Sequence, residues 1–198
     1  SPNGDYIVKI TNLNGTPTVN ALGTGLNSEC RAIVVSPDGN VIVGGLFTSA
    51  GGVANTSHIA MWNGTVWSAL STGLNDNVLA LAIAPNGDLY VGGSFQNAAY
   101  PYLCRWNGSA FSVIGANTDI NDSVYSLAFG ATGYLYVGGT MTHIGGIANA
   151  DYIAKWSGSK WESLGTGTNS PVYDIFVNSG KVYVSGAFTA AGGLTLTD

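Results

Sequence analysis

A glycine pair that closes an apolar run recurs at nearly equal intervals along this 198-residue chain, and this repeat most constrains the fold. The sequence Val-Gly-Gly occurs at residues 43–45, 91–93 and 137–139, and Val-Ser-Gly follows at residues 184–186. The steps between these runs are 48, 46 and 47 residues. A fixed period in this range is typical of solenoids and propellers, in which each repeat is one small structural unit. The chain therefore contains about four copies of one unit.

Other residue types keep the same phase as the glycine pairs. Turn sequences that end in glycine precede the pairs at residues 37–39, 85–87, 131–133 and 178–180. A tryptophan follows three of the pairs, with a second aromatic residue five positions later: Trp62 and Trp67, Trp106 and Phe111, and Trp156 and Trp161. Aromatic residues at a repeated strand position predict packing between units, and stacking on a sugar is the alternative.

Each unit contains the pattern of four short strands, a to d. Strand a is an apolar run such as residues 78–83, and a turn leads from it to strand b, such as residues 88–91. Strand c, such as residues 152–156, carries the tryptophan, and an Asn-Gly or Ser-Gly turn joins it to strand d. Turns of this type between apolar runs indicate hairpins, and no window has a helical period. The pattern predicts an all-β chain, a β-propeller of about four blades with four antiparallel strands each.

The order of these features resembles the kelch-like propeller repeat. Gly-Gly-x-Phe follows strand b at residues 44–47 and 92–95, and Trp-Asn-Gly ends strand c at residues 62–64 and 106–108. This short form is similar to arrays in large bacterial surface proteins and phage structural proteins, and the resemblance covers nearly the whole chain. It implies a fold rather than a function, because propellers include enzymes, lectins and scaffolds.

The register of the repeat predicts one propeller domain over residues 1–198. Its parts are strands c and d at residues 5–26, repeats at approximately 27–74, 75–118 and 119–168, and strands a and b at 169–198. Two interpretations remain open. The terminal half-units complete a fourth blade and close a ring, or the chain is a fragment of a larger propeller or longer array.

The charge balance argues against a nucleic-acid partner. Six Lys and Arg residues stand against eleven Asp and Glu residues, which gives a net charge of −5, and the basic residues are scattered singly. Nucleic-acid binding draws on clustered basic residues that neutralise phosphates, and anionic membranes attract the same clusters. No run approaches 18 apolar residues, so we expect no membrane insertion.

The reactive side chains do not form a catalytic or metal-binding set. His58 and His143 fall at different positions of the repeat without a recurring Cys, His or Glu partner, so the sequence predicts no zinc or copper site. Asp174 lies inside a strand a, where we expect it to face a wet central channel rather than act as a tuned acid. Cys30 and Cys104 are interpreted as two separately buried thiols, and their redox state stays open. The sequence predicts no enzyme and no cofactor.

The glycine pairs are not a phosphate-binding loop. They precede no helix and lack the Lys-Ser/Thr sequence that follows such a loop. Glycine in a strand permits a bulge or a close approach of another backbone. We therefore expect the pairs to mark bulges or close contacts between blades.

Polar residues concentrate in the d–a and b–c loops, which antiparallel alternation puts on one face of the fold. The candidate ligand-binding residues are Asn55, Asn75, Asp76, Asn77, Asn117, Asp119, Asn121, Asp122, Asn149 and Asn169, and Asn27 joins them. Asn and Asp are ordinary turn formers, but loops on rigid scaffolds commonly carry binding function. Their oxygen atoms suit a carbohydrate or a Ca²⁺ ion.

These observations favour a non-enzymatic structural or adhesive binding module of a bacterial surface or virion protein. We expect an extracellular, cell-surface or virion location and protein neighbours as partners. The alternative is a lectin-like propeller that binds glycans on the Asn-rich face. An enzyme of the galactose-oxidase type is less favoured, because its copper-binding Tyr, Cys and His set cannot be placed on these residues.

Overall fold

The computed structural model describes residues 5–116 and 118–195, and nearly all regular structure in these ranges is β-strand. The strands are β1 (Val8–Thr11), β2 (Thr18–Ala21), β3 (Cys30–Val35), β4 (Val41–Gly45), β5 (Ile59–Trp62), β6 (Trp67–Ala69), β7 (Val78–Ile83), β8 (Leu89–Gly93), β9 (Leu103–Trp106), β10 (Phe111–Val113), β11 (Val124–Phe129), β12 (Leu135–Gly139), β13 (Ile153–Trp156), β14 (Trp161–Ser163), β15 (Val172–Asn178), β16 (Lys181–Gly186), β17 (Ala190–Ala191) and β18 (Leu194–Thr195). A single 3-10 turn occurs in the described ranges, at Ile144–Gly146. No helix in them is long and apolar enough to cross a membrane.

Three sheets of four antiparallel strands form complete blades. Their strand orders are β3-β4-β5-β6, β7-β8-β9-β10 and β11-β12-β13-β14, so each blade uses four consecutive strands. The strands β1 and β2 form a two-stranded sheet, as do β15 and β16. These two sheets correspond to strands c and d of one unit and to strands a and b of another. The predicted all-β fold with four-stranded antiparallel units is confirmed.

The chain divides into two compact units, residues 1–78 and residues 79–198. In the first unit, the core collects Val43, Phe47 and Trp67, all buried. In the second unit, the equivalent positions of the third blade are Val137, Met141 and Trp161, also buried. The same repeat positions therefore supply both cores: the middle of strand b, the residue two positions after the glycine pair, and the aromatic residue that starts strand d.

The two glycines of each pair have different structural roles. A Cβ atom on Gly139 would lie 2.0 Å from the carbonyl oxygen of Ser123, at the point where the register of β11 shifts opposite the pair. A Cβ atom on Gly138 would lie 2.6 Å from Cγ1 of Val172, which belongs to the next sheet. The second glycine thus accommodates a bulge and the first allows the next sheet to approach closely. Both expected roles are confirmed.

The tryptophans of strands c and d pack against each other. The ring centroids of Trp62 and Trp67 are 5.4 Å apart, and those of Trp156 and Trp161 are 5.1 Å apart. Trp67 and Trp161 are buried, and the indole N–H of Trp67 donates a hydrogen bond of 2.8 Å to the carbonyl of Leu22. The predicted packing role is confirmed for these residues.

The two cysteines are free thiols in different environments. Cys104 in β9 is fully buried, whereas Cys30 at the start of β3 is only half-buried. Burial raises the pKa of both thiols above the ordinary value. The prediction of burial therefore holds fully for Cys104 and in part for Cys30.

The raised pKa of Cys104 predicts both low reactivity and a loss of stability at high pH. Folding favours its neutral form, so its contribution is complete below the unfolded-state pKa of about 8.5 and declines as the pH rises above that value. We expect a thiol reagent at pH 8 to modify Cys30 slowly and Cys104 only after unfolding. Mass spectrometry of the labelled chain, with Cys30→Ser as the control that leaves one thiol, measures both rates. Equal labelling of the two native thiols would contradict the burial of Cys104.

Candidate functional site

Asn27 lies in the d–a loop, which joins strand d of one unit to strand a of the next. Its side chain links this loop to the b–c loop. The side-chain N–H of Asn27 donates to the hydroxyl of Thr48 over 2.9 Å. Its carbonyl oxygen accepts the backbone N–H groups of Thr48 and Ser49 at 2.9 and 3.0 Å. An amide side chain can do this because it carries a donor and an acceptor on one planar group. We call this arrangement the asparagine clamp.

The clamp recurs in residues 79–198. Asn121 donates to the Thr142 hydroxyl at 3.0 Å and accepts the Thr142 backbone N–H at 2.9 Å. Asn169 repeats both bonds with Thr189, at 3.0 and 2.9 Å, and also accepts the N–H of the next residue. The d–a and b–c loops therefore share a face within each unit, as predicted. The amide groups of Asn121 and Asn169, two of the predicted ligand-binding residues, join these loops.

Asp119 has a similar structural role in a longer d–a loop. Its Oδ2 atom accepts the backbone N–H of Ala116 at 2.7 Å and the indole N–H of Trp161 at 3.0 Å. Its backbone carbonyl accepts the N–H of Gly145 at 2.9 Å. A half-buried carboxylate with these partners fixes the position of the neighbouring tryptophan.

Other candidate residues lie at the surface of the loops. Asp76 and Asp122 each accept the N–H of the following residue at 2.7 Å, an ordinary turn contact. Asn55 and Asn149 are exposed and occupy equivalent places in their b–c loops, with φ angles of 62° and 64°. Asparagine tolerates this left-handed backbone better than most residues.

The structure brings only some of the predicted residues together. In residues 1–78, the d–a loop at residues 70–77 bonds to the b–c loop through Leu74 N–H and the carbonyl of Ser57, at 3.0 Å, and Asn75 and Asn77 follow Leu74 in that loop. In residues 79–198, Asp119, Asn121 and Asp122 share a single d–a loop. Asn117 lies outside the described residues. Across residues 5–116 and 118–195, no three His, Cys, Asp or Glu side chains gather as a metal site, and the Ca²⁺ prediction stays untested.

A partly exposed pair of tyrosines was not among the predicted site residues. The rings of Tyr125 and Tyr173 lie at the starts of β11 and β15, with centroids 6.1 Å apart. Tyr173 is 55% exposed and Tyr125 is half-buried. The two residues occupy one position of the repeat, where the other units have Arg31 and Leu79. The sequence feature that could have indicated this pair is an aromatic residue at the same position of two successive repeats.

A hydrogen-bonded serine and aspartate lie beside these tyrosines. The Ser126 hydroxyl donates to Oδ1 of Asp174 at 3.0 Å, and the backbone N–H of Ile175 donates to both side chains at 2.9 Å. Asp174 is exposed and Ser126 is buried. We call Tyr125, Ser126, Tyr173 and Asp174 the tyrosine patch. It combines two partly exposed aromatic rings with one oriented carboxylate.

Comparisons with known proteins show the fold. Neither a protein-family model nor a curated protein matches the chain. Among solved structures, it is similar to PorZ, a bacterial surface component of the type-IX secretion system of Porphyromonas gingivalis, with 15% identity and a TM-score of 0.58 over 93% of this chain and 28% of that one. YCF48 bound to D1 peptide matches with 16% identity and a TM-score of 0.55, over 98% of this chain and 60% of that one. A putative gluconolactonase matches with 12% identity and a TM-score of 0.54, over 92% of this chain and 64% of that one.

These similar structures are β-propellers, and the chain has a propeller-type fold of about four blades. It spans less than two thirds of the length of each of these longer chains. At such identities the likeness concerns the fold alone, and it does not single out the kelch type.

The asparagine clamp predicts a graded loss of stability on substitution. Asn27→Ala removes three side-chain hydrogen bonds, so we expect the free energy of unfolding to fall by about 2 kcal/mol. Asn27→Asp is the matched control, because it keeps the acceptor for the two backbone N–H groups and should cost about half as much. Urea unfolding followed by tryptophan emission measures both values. Losses below about 0.5 kcal/mol for Asn27→Ala would contradict a structural role for the clamp.

Proposed function

We propose that this chain is a non-enzymatic structural or adhesive binding module of a bacterial surface or virion protein, and that it contacts protein neighbours through the tyrosine patch. The ring pair of exposed Tyr173 and half-buried Tyr125 is the observation that carries the proposal. Tyrosine is enriched in protein interfaces because it offers a large rigid contact area and a polar hydroxyl at little cost in conformational entropy.

The asparagine clamps support this proposal because they make the loops beside the patch rigid. The clamp of Asn121 comes four residues before Tyr125, and that of Asn169 comes four residues before Tyr173. A surface that is ordered before binding loses less entropy when a partner docks. Each tyrosine therefore follows a loop that is already held in place.

The environments of the acidic side chains favour a non-enzymatic module. The carboxylate of Asp119 accepts the indole N–H of Trp161, and that of Asp174 accepts the Ser126 hydroxyl. Glu162 is held between Lys160 and Lys155, at 3.0 and 3.1 Å, and the hydrogen bond from Lys160 lowers its pKa. An acid that must donate a proton near neutral pH needs the opposite shift.

A surface location and a kelch-like repeat are part of the same proposal. PorZ, one of the similar structures, is a bacterial surface component, and YCF48 was solved with a bound peptide. These proteins illustrate that a propeller can present such surfaces. The glycine pairs and the tryptophans that follow three of them support the kelch-like character.

A lectin-like module is the second candidate, and the same patch favours it. Aromatic faces stack on the apolar side of sugar rings, and a neighbouring carboxylate such as that of Asp174 can accept sugar hydroxyl groups. The two candidates differ in the chemistry of the ligand rather than in the location of the site.

Crosslinking from the patch tests the proposal. Tyr173 is replaced by the photo-crosslinking residue benzoylphenylalanine in the parent protein, in its native cells or particles, and adducts are identified by mass spectrometry. The control carries the same residue in place of Tyr134, which lies in the turn between β11 and β12 with the Lys155 ammonium 4.4 Å from its ring centroid. We expect a specific protein adduct from position 173 only.

A glycan array on the isolated chain separates the two candidates. We expect no glycan to bind. Glycan binding that disappears in Tyr173→Ala would replace protein contacts with the lectin function. Protein adducts that form equally from positions 134 and 173 would contradict the patch as the contact surface.

A further inference from the structure

The last half-blade exposes an aromatic face. Phe176 in β15 and Tyr183 in β16 lie opposite each other in the register of these strands, with ring centroids 6.5 Å apart. Phe176 is 62% exposed and Tyr183 is 54% exposed. Adjacent exposed aromatic side chains on a sheet indicate a surface that another element covers.

The repeat shows which element covers a tyrosine at this position. Tyr90 and Tyr136 occupy the same place in strand b of their own blades. The Tyr90 ring contacts Phe129 in strand a of the next sheet, edge to face, with centroids 5.1 Å apart. Tyr136 belongs to one apolar cluster with Val177, the residue equivalent to Phe129 in the following sheet. A tyrosine here therefore packs onto strand a of a following blade.

A groove in residues 1–78 exposes strand a of the first complete blade. Ile33 and Val35 of β3 are 57% and 60% exposed, and Val35 is the equivalent of Phe129 and Val177. Together with Val8, Lys9 and Trp62, they line an open groove of about 420 Å³. Val8 and Lys9 belong to β1, which pairs only with β2 among the described strands. The groove thus contains Val35 at the repeat position against which Tyr90 and Tyr136 pack in the other blades.

β16 and β1, each paired with one strand among the described residues, carry matching residues. In the blades that have a tyrosine in strand b, a cation stands opposite it in strand c: Tyr90 pairs with Arg105 and Tyr136 with Lys155. In the first blade, Ile42 stands at this place and pairs with Met61. β16 carries Tyr183 at the tyrosine position of strand b, and β1 carries Lys9 at the cation position of strand c. These two residues are therefore suited to form a tyrosine–cation pair like those of the second and third blades.

We propose that two copies of this chain associate head to tail by sharing one blade. The edge of β16 pairs with β1 of the second copy, which gives a sheet of β15, β16, β1 and β2. By the register of β12 and β13, Tyr183 stands opposite Lys9 of the second copy, and Val184 opposite Val8. Tyr183 then fills the groove over Val35 of the second copy. This inference concerns self-association and does not rest on the proposed function.

The geometry accounts for two features at once. It pairs the two sheet edges at β16 and β1, which are otherwise sites of uncontrolled strand pairing. It also buries the exposed apolar side chains at both ends. Because the two contact surfaces differ, the association is heterologous, and it continues into rings or chains when both ends are free.

Two proline variants block one end each. The N–H of Gly139 points to strand c, where it donates to the carbonyl of Tyr152. Because N–H directions alternate along a strand, the N–H of Val184, at the equivalent of Val137 in β16, also points to strand c. By the register of β12 and β13, the N–H of Val8 in β1 points back to strand b, so both N–H groups face the proposed partner. Val184→Pro and Val8→Pro therefore remove bonds to the second copy and spare those within each half-blade. Tyr183→Lys, which places two cations opposite each other, is a milder variant with an exposed side chain.

Light scattering after size-exclusion chromatography measures the result. We expect the unsubstituted chain to form dimers or larger species, and each proline variant alone to be monomeric. An equimolar mixture of the two should form dimers, because one intact end remains on each variant. Tyr183→Lys should weaken association at least tenfold, and circular dichroism checks that every variant is folded.

Three outcomes would overturn the proposal. The first is a monomeric unsubstituted chain at all concentrations, which would leave these surfaces to closure within one chain or to further repeats. The second is unchanged association of the folded Tyr183→Lys variant. The third is a mixture of folded proline variants that stays monomeric.

Discussion

The close approach of strand b to strand a of the next sheet is the contact on which the rest of the structure depends. At Gly138 the next sheet comes so near that a single added methyl group would overlap Val172. A larger side chain would push the sheets apart, and the buried residues beside the glycine pair, such as Val137, would lose packing contacts. The recurrence of glycine at this point is thus explained by space rather than by backbone flexibility, because no left-handed φ occurs at Gly138.

The loops gain their order from this scaffold and from the asparagine clamps. Side chains that looked available for a ligand, such as those of Asn121 and Asn169, are engaged in holding neighbouring loops together. Several aromatic rings remain at least partly exposed: those of Tyr125 and Tyr173 next to the clamped loops, and those of Phe176 and Tyr183 on the last half-blade. Both sets suit contact with another macromolecule.

Much of the fold could be predicted from the sequence because the same residue types recur at equivalent positions in each repeat. The glycine pairs, turns and tryptophans have local causes that recur, so their strands and their packing roles were predictable. The asparagine clamp was not, since Asn27 meets Thr48 only through three-dimensional loop geometry. The role of Asp119 depends on a longer loop in one repeat only. The exposure of Tyr173 depends on what lies beyond its sheet, which a repeat pattern does not encode.

A double-mutant cycle at Gly138 and Val172 tests the central contact most directly. Gly138→Ala should lower the free energy of unfolding by about 1–3 kcal/mol through overpacking, and Val172→Ala should lower it by removing buried methyl groups. If the two residues touch across the sheets, Val172→Ala makes room for the methyl group that Gly138→Ala adds. The free energy of unfolding of the double variant should then fall by at least about 1 kcal/mol less than the sum of the two single decreases. Additive losses would contradict the account, because they would mean that the glycine pair does not face the next sheet.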